Sequence, residues 1–206
     1  YEIAKEASVK QQLVPRLKAL ALLAKAAKMG LNIDAEEADR LSISLEVIEE
    51  VISDPALKGW DGFGVVVQAY GPRTGLAIDA LYEMAEKYDR RFMVRLVKGA
   101  YWDTEIKLAQ QKGLSGYPVW TRKEGTDTAY LASARFLLSD HLRGLIWPQF
   151  ATHNAHTLSS IMTMSTHKEL EFQRLHGMGD ALYDHILQAY EIPVRIYAPV
   201  GAHKDL

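Results

Sequence analysis

The stretch Arg90-Arg-Phe-Met-Val-Arg95-Leu-Val-Lys98-Gly99-Ala100-Tyr101-Trp102-Asp103 sets two cations, Arg95 and Lys98, into a run otherwise rich in apolar residues. Burying a guanidinium there is costly unless an anion or a hydrogen-bond acceptor meets it. A phosphate-bearing or electron-rich cofactor would supply that partner, while Gly99 permits close backbone approach and Tyr101 and Trp102 offer flat surfaces for a ring. The bland alternative is a structural ion pair with Asp34. A second constellation joins the acidic run Asp34-Ala-Glu36-Glu37-Ala-Asp39 to His153 and His156, a set with metal-ligand chemistry. Glu36 and Glu37 also suit the first turn of a helix, where carboxylates stabilise the positive end of the dipole, and that reading needs no metal. His167, His185 and His203 read as ordinary surface or loop histidines.

The elements that must position these groups alternate. Short β-branched or aromatic runs are separated by longer segments of helical apolar periodicity, the pattern of repeated βα units on a parallel sheet. Seven strands are expected, at Ser8 to Lys10, Leu31 to Asp34, Gly64 to Ala69, Phe92 to Lys98, Gln149 to Thr152, Leu170 to Leu175 and Val194 to Ala198. Helices are expected at Val14 to Lys28, Glu36 to Ser53, Gly75 to Tyr88, Asp103 to Lys112, Thr126 to Leu142, Thr157 to Met164 and Asp180 to Tyr190. Within the second helix Leu41, Leu45, Ile48 and Ile52 share one face, as packing against a sheet requires.

Seven βα units fall one short of a closed eight-stranded barrel, for which ~250 residues is typical. The expected fold class is therefore α/β, a (β/α)8 TIM-type barrel, distorted and incomplete, spanning residues 1–206 as one partial domain. A doubly wound sheet is the competing architecture, and it places a Gly-rich phosphate loop after its first strand. Gly62-Phe-Gly64 and Gly177-Met-Gly179 lack both the third glycine and the strand-then-helix context of that loop.

In a barrel, side chains at the C-terminal strand ends converge on one mouth, where catalysis is built. Here the strands end in Lys10, Asp34, Gln68, Arg95 with Lys98, Thr152-His153-Asn154, Gln173 with His176, and Tyr197. Any one of these polar residues is explained by a loop entrance; a ring of them in register points to an active site. Asp34, Gln68, Arg95, Lys98, Tyr101, His153 and Tyr197 are expected to meet at that mouth.

Composition narrows the function classes. The 206 residues are 48% hydrophobic and 24% charged, enough apolar material for one sizeable core. A formal net charge of −2 argues against a nucleic-acid partner for this segment. The absence of cysteine excludes a disulfide scaffold, a thiolate nucleophile and a Cys-ligated zinc, and is compatible with a reducing cytoplasm. The longest apolar stretches, such as Ala19 to Ala24, fall far short of the ~20 residues of a membrane span. A chain that starts at Tyr1 without Met and stops at Leu206 is expected to be a piece of something longer.

Six motifs in order resemble the proline dehydrogenase domain of the proline utilization A family. They are Leu31-Asn-Ile-Asp-Ala-Glu-Glu-Ala-Asp-Arg-Leu41, Val66-Val-Gln-Ala-Tyr-Gly71, Val94-Arg-Leu-Val-Lys-Gly-Ala-Tyr-Trp-Asp103, Phe150-Ala-Thr-His-Asn-Ala-His-Thr157, Glu171-Phe-Gln173 with Leu175-His-Gly-Met178, and Arg195-Ile-Tyr-Ala-Pro-Val-Gly201. The longer forms, Gly99-Ala-Tyr-Trp102 and Gly116-Tyr-Pro-Val119, look more like the bifunctional bacterial proteins than the short monofunctional enzymes.

That resemblance implies a distorted βα barrel that holds FAD without a Rossmann motif and oxidises L-proline to pyrroline-5-carboxylate by hydride transfer, with electrons passed to a membrane quinone. Carried over by motif, Lys10, Asp34 and Tyr197 line the proline pocket as the catalytic set. Gln68, Arg95, Lys98, Gly99, Ala100, Tyr101, Trp102, Thr152 and His153 hold FAD, with Arg95 near flavin N5. No metal is implied. The resemblance further implies an NAD-using second domain outside this chain, a cytoplasmic enzyme compatible with peripheral contact to the inner membrane, and compatibility with a homo-oligomer.

Two departures from the family pattern carry expectations. The family's paired arginines, which clamp the substrate carboxylate, fall beyond Leu206, so this piece alone is expected to turn over proline weakly or not at all. The direct step from Lys10 to Gln11, where the family continues after Ser-Val-Lys, is expected to hide a deletion or a missing loop. Alternatives to the dehydrogenase are a metal-dependent barrel hydrolase or lyase using Asp34, Glu36, His153 and His156, and a noncatalytic barrel fragment serving as an interaction module.

Overall fold

The structure, a computed structural model, describes residues 5–201. His203 therefore lies outside the described residues. The elements run α1 (Glu6–Ala26), β1 (Leu31–Ile33), a 3-10 turn (Ala38–Arg40), α2 (Leu41–Ile52), a second 3-10 turn (Pro55–Leu57), β2 (Phe63–Gln68), α3 (Thr74–Tyr88), β3 (Phe92–Val97), α4 (Trp102–Gln111), α5 (Lys123–Leu137), β4 (Ile146–Ala151), α6 (Ala155–Met164), β5 (Glu171–Leu175), α7 (Asp180–Ala189) and β6 (Val194–Tyr197). All strand pairings between these six strands are parallel, and their spatial order follows their chain order. A doubly wound sheet would reverse direction at a switch point. This curled half-barrel does not, and it is an incomplete TIM-type barrel.

Side-chain alternation separates the two faces of the sheet. In β3, Phe92, Val94 and Leu96 are buried, while Met93, Arg95 and Val97 remain partly open. Phe63, Val65 and Val67 of β2, Phe150 of β4 and Phe172 of β5 join the buried set. Burying one such side chain stabilises the fold by roughly 1.5–3 kcal/mol. Ile48 and Ile52 of α2 are almost fully enclosed and Leu41 and Leu45 pack at the margin, so the expected stripe does face the core.

The expected first strand is a correction. Ser8 to Lys10 belong to α1, whose helix runs through Lys10 and Gln11. Glu-Ala-Ser-Val-Lys-Gln-Gln-Leu is composed mostly of good helix formers. Local pairs add to this: Gln12 Nε2 donates to Ser8 Oγ at 3.1 Å, and Lys10 meets Glu6 one turn earlier.

Smaller shifts occur at other ends. The strand β4 starts at Ile146, ahead of the expected Gln149, and carries Pro148, which offers no ladder donor. The helix α2 starts at Leu41 rather than Glu36, so Glu36 and Glu37 precede it and do not cap its dipole. Instead both carboxylates grip Arg40, Glu36 Oε2 at 2.6 Å from Nη1 and Glu37 Oε2 at 2.9 Å from Nε. Helix α5 spans Lys123–Leu137, earlier than the expected Thr126 to Leu142. Among the described residues no helix is long and apolar enough to cross a membrane.

Candidate active site

A cleft of about 580 Å³ opens at the C-terminal ends of the strands, lined by Asp34, Gln68, Arg95, Lys98, Gly99, Ala100, Tyr101, Thr152, His153 and Tyr197, among others. Its size lies within the usual range of small-molecule sites. All seven residues expected to converge there do so, because parallel strands in chain order bring every C-terminal end to one rim. Trp102 lies just beyond, in an adjoining pocket of about 370 Å³ that shares Lys98 and Gly99 with the cleft.

Arg95 stands at the centre. It pairs in register with Val66 on one side and Gln149 on the other, and its side chain is 15% exposed. Nη2 donates to Asp34 Oδ1 at 2.8 Å, so the ion pair weighed as the bland alternative is present. Asp34 is the first residue past β1 and its side chain is 77% exposed, so the pair is half open to solvent. The guanidinium carbon lies 5.8 Å from the centre of the Tyr197 ring, within cation–π range. Arg95 Nε is buried and has no hydrogen-bond partner. An orphaned buried donor on a permanent cation that lines a cleft is the feature that an anionic or electron-rich ligand would satisfy, once the side chain turns that donor toward it.

The β3–α4 turn is built for close approach. Gly99 has φ +135°, and a Cβ there would come within 2.4 Å of the Tyr70 ring. Tyr70 is held by its amide, which donates to Lys98 O at 2.7 Å, and its carbonyl accepts from Trp120 N–H at 2.7 Å. Burial pushes the Tyr70 phenol up to about 12, so it stays neutral. Gln68 bridges two loops: its Oε1 accepts from Ala100 N–H at 3.2 Å and its Nε2 donates to Glu36 O at 2.8 Å. Trp102 Nε1 donates to Trp120 O at 2.8 Å, fixing the indole plane beside the cleft.

The opposite wall comes from the end of β4 and the turn after it, together with Tyr197 of β6. Thr152 is buried, and its Oγ1 accepts from Asn154 N–H at 3.1 Å. Asn154 caps α6 by accepting from Thr157 N–H at 2.9 Å. His153 Nε2 accepts from Leu175 N–H at 2.9 Å, which leaves Nδ1 as the ring's other nitrogen. Of the rival metal set, His153 thus spends one nitrogen on the backbone and Glu36 is engaged by Arg40. Among the described residues no three His, Asp or Glu side chains gather as a ligand set.

Lys10 is not at the cleft. Its ammonium lies on α1 against Glu46 of α2 and Glu6, and these carboxylates, Glu46 foremost, raise its pKa. The structure thus sets Lys10 on the helical layer rather than in the expected proline pocket.

Several participants escaped sequence reasoning. Asp127 of α5 bonds both Lys98 and Lys123, which hold its carboxyl below the usual carboxylate range, Lys123 foremost. The Lys123 to Asp127 spacing of i, i+4 was a visible signal, but the link to Lys98 was not. Deeper on the inner face, Glu171 accepts from Gln149 Nε2 at 3.0 Å, Gln173 Nε2 at 2.7 Å and Arg195 Nε at 2.7 Å. That buried carboxylate is fully partnered beneath the cleft, and no spacing rule announces it.

The sequence matches the family described as Proline dehydrogenase over residues 2–206. The chain belongs to the proline dehydrogenase family. It is 52% identical to the "Bifunctional protein PutA" of Salmonella typhimurium, over 100% of this chain and 16% of that protein. The Rhizobium meliloti protein of the same name is 51% identical over 97% of this chain and 17% of its own length. A crystal structure of Bradyrhizobium japonicum proline utilization A superposes with a TM-score of 0.93 at 54% identity, covering 98% of this chain and 21% of that one. A Bdellovibrio bacteriovorus proline utilization A structure, described as inactivated by N-propargylglycine, superposes at 0.90 with 36% identity over 97% of this chain and 21% of that one. This proline dehydrogenase chain thus spans about a sixth of the curated bifunctional relatives it matches.

Proposed function

We propose that this chain forms the FAD and proline site of a flavin-dependent proline dehydrogenase, which converts L-proline to pyrroline-5-carboxylate. The observation that carries this reading is Arg95: a guanidinium on the inner strand face, with a buried, unpartnered Nε, at the centre of a cleft of ligand size. The residues present fit FAD, since two cations, a glycine turn and aromatic surfaces border the cleft and the pocket adjoining it.

Gln68, Arg95, Lys98, Gly99, Ala100, Tyr101, Trp102, Thr152 and His153 would hold the cofactor. Bound there, FAD would supply the two-electron, hydride-accepting chemistry needed at the ring carbon beside the proline nitrogen. Arg95 offers positive charge where negative charge develops, already oriented by Asp34 and therefore needing no reorganisation. Lys98, fixed by Asp127, adds a second cation at the rim. Asp34 is an anion facing the cleft, suited to the charged ring nitrogen of proline. Tyr197 sets an aromatic ring 5.8 Å from the Arg95 guanidinium carbon, an apolar surface on that side of the cleft for the proline ring. In the whole protein, quinone at a membrane surface is the proposed electron acceptor, and a second, NAD-using activity oxidises the semialdehyde. A cytoplasmic enzyme with peripheral contact to the inner membrane accommodates both.

The test is an absorbance spectrum of the full-length protein under anaerobic conditions, before and after proline is added. An oxidised-flavin spectrum that bleaches with proline supports the reading. A colourless, fully folded protein, or a flavin unaffected by proline, overturns it.

A further inference from the structure

The loop that carries Asp34 is anchored by two residues that do not line the cleft, Glu105 and Arg73, and by Gln68, which does. Glu105, in the first turn of α4, is 4% exposed, and its Oε1 accepts from Ala38 N–H at 2.5 Å. Arg73, at the start of α3, donates to the carbonyl oxygen of the same Ala38. Gln68 holds Glu36 O at 2.8 Å. The segment from Asp34 to Ala38 is therefore pinned at two of its residues, and its free end is the carboxylate that meets Arg95.

A buried carboxylate is an expensive way to hold one backbone N–H, because desolvating the charge costs more than desolvating an amide or hydroxyl. The start of α4 offsets part of that cost through the helix dipole. What Glu105 gains over a shorter side chain is reach: α4 begins at Trp102, next to the glycine turn, whereas Ala38 belongs to the loop after β1, two strands away. Glu105 thereby ties the loop after β1 to the helix that follows the Arg95 strand, so that the two partners of the Asp34–Arg95 pair share one anchor.

We infer that Glu105 is a positioning residue for proline, acting through the Ala38 amide to set the Asp34 carboxylate. This rests on the proposed function of the cleft. The role lies in reach and acceptor geometry, not in charge, so Glu105→Gln keeps it and Glu105→Asp, one methylene shorter, loses it.

The experiment uses the full-length holoenzyme with both variants, Asp34→Asn, and the double variants. Three readouts are taken: KM and kcat for proline, flavin content, and hydrogen exchange of the peptide covering residues 34–41. Expected for Glu105→Asp are a KM raised roughly tenfold or more, corresponding to about 1.4 kcal/mol, flavin content unchanged, and faster exchange of that peptide. Glu105→Gln stays within about threefold of wild type, about 0.6 kcal/mol, with slow exchange retained. In the Asp34→Asn background, Glu105→Asp adds no further loss, because the carboxylate it positions is already gone. The inference is overturned if Gln is damaged and Asp is not, if losses multiply in the double variant, or if the Asp variant keeps wild-type KM. A fault in the parent reading shows differently: Asp34→Asn alone would leave proline kinetics untouched. Should Glu105→Asp fail to fold, a Gln variant with a raised KM or fast exchange at 34–41 still overturns the inference, and a wild-type Gln variant supports it.

Discussion

Arg95 Nη2 and Asp34 Oδ1 lie 2.8 Å apart although β2 separates their strands. The contact crosses the curl of the sheet, from the interior of β3 to the residue just past the end of β1. Because the Asp34 side chain is 77% exposed, the pair contributes little to stability and much to where a cation points.

Removing that cation is expected to be felt in chemistry before folding. Arg95→Ala leaves Asp34 solvated, so the fold survives, while flavin retention or the rate of flavin reduction by proline falls roughly 10²-fold. Arg95→Lys recovers only part of this, since a point charge lacks the guanidinium fork. Stopped-flow reduction and bound-flavin content check both; wild-type values in the alanine variant would remove Arg95 from the site.

Gly99 is expected to tolerate no side chain. Its φ of +135° is strained for any L residue, and a Cβ would sit 2.4 Å from the Tyr70 ring. Gly99→Ala should lower stability by about 1–3 kcal/mol and shift the Ala100 amide off Gln68. Urea unfolding of the variant measures the first effect, and loss of flavin affinity the second.

Asp127 sets a pH dependence whose sign follows from its depressed pKa. Its carboxylate stabilises the fold at pH values above the ordinary carboxylate range, and that contribution is lost as the pH falls through the depressed value. The side chain is about a third exposed, so the effect is screened and amounts to about 0.5 kcal/mol or less. Asp127→Asn should flatten the acid limb of a stability–pH curve below pH ~4, near the ordinary carboxylate value. It should also release Lys98, with weaker cofactor retention at neutral pH.

Lys10→Ala is expected to leave KM and kcat for proline unchanged, because its partners are Glu46 and Glu6 on the helical layer. Steady-state kinetics of the full-length variant decide this. A large rise in KM would return Lys10 to the pocket against its observed position.

What the sequence determined by itself is the set of strands from β1 onward, the parallel class of the sheet and most of the rim. Period-two runs such as Phe92 to Val97 and the helical stripe on α2 are local patterns, and a parallel sheet in chain order converts strand ends into neighbours without further information. Tertiary structure decided the rest. Ser-Val-Lys has the local look of a short strand, yet helix formation through Lys10 is cooperative over all of α1 and is completed by contact with α2. Glu36 and Glu37 suit a helix start, but a 3-10 turn intervenes and Arg40 is the partner they find. Glu105 and Asp127 act through residues 67 and 29 positions away, and Glu171 meets Gln149, its register partner on the neighbouring strand 22 positions away; such pairings exist only once the sheet has formed. A sequence announces which side chains carry charge; which opposite charge or amide each one meets is a property of the closed surface, because that choice is made by distance in space and by the cost of leaving a buried polar group alone.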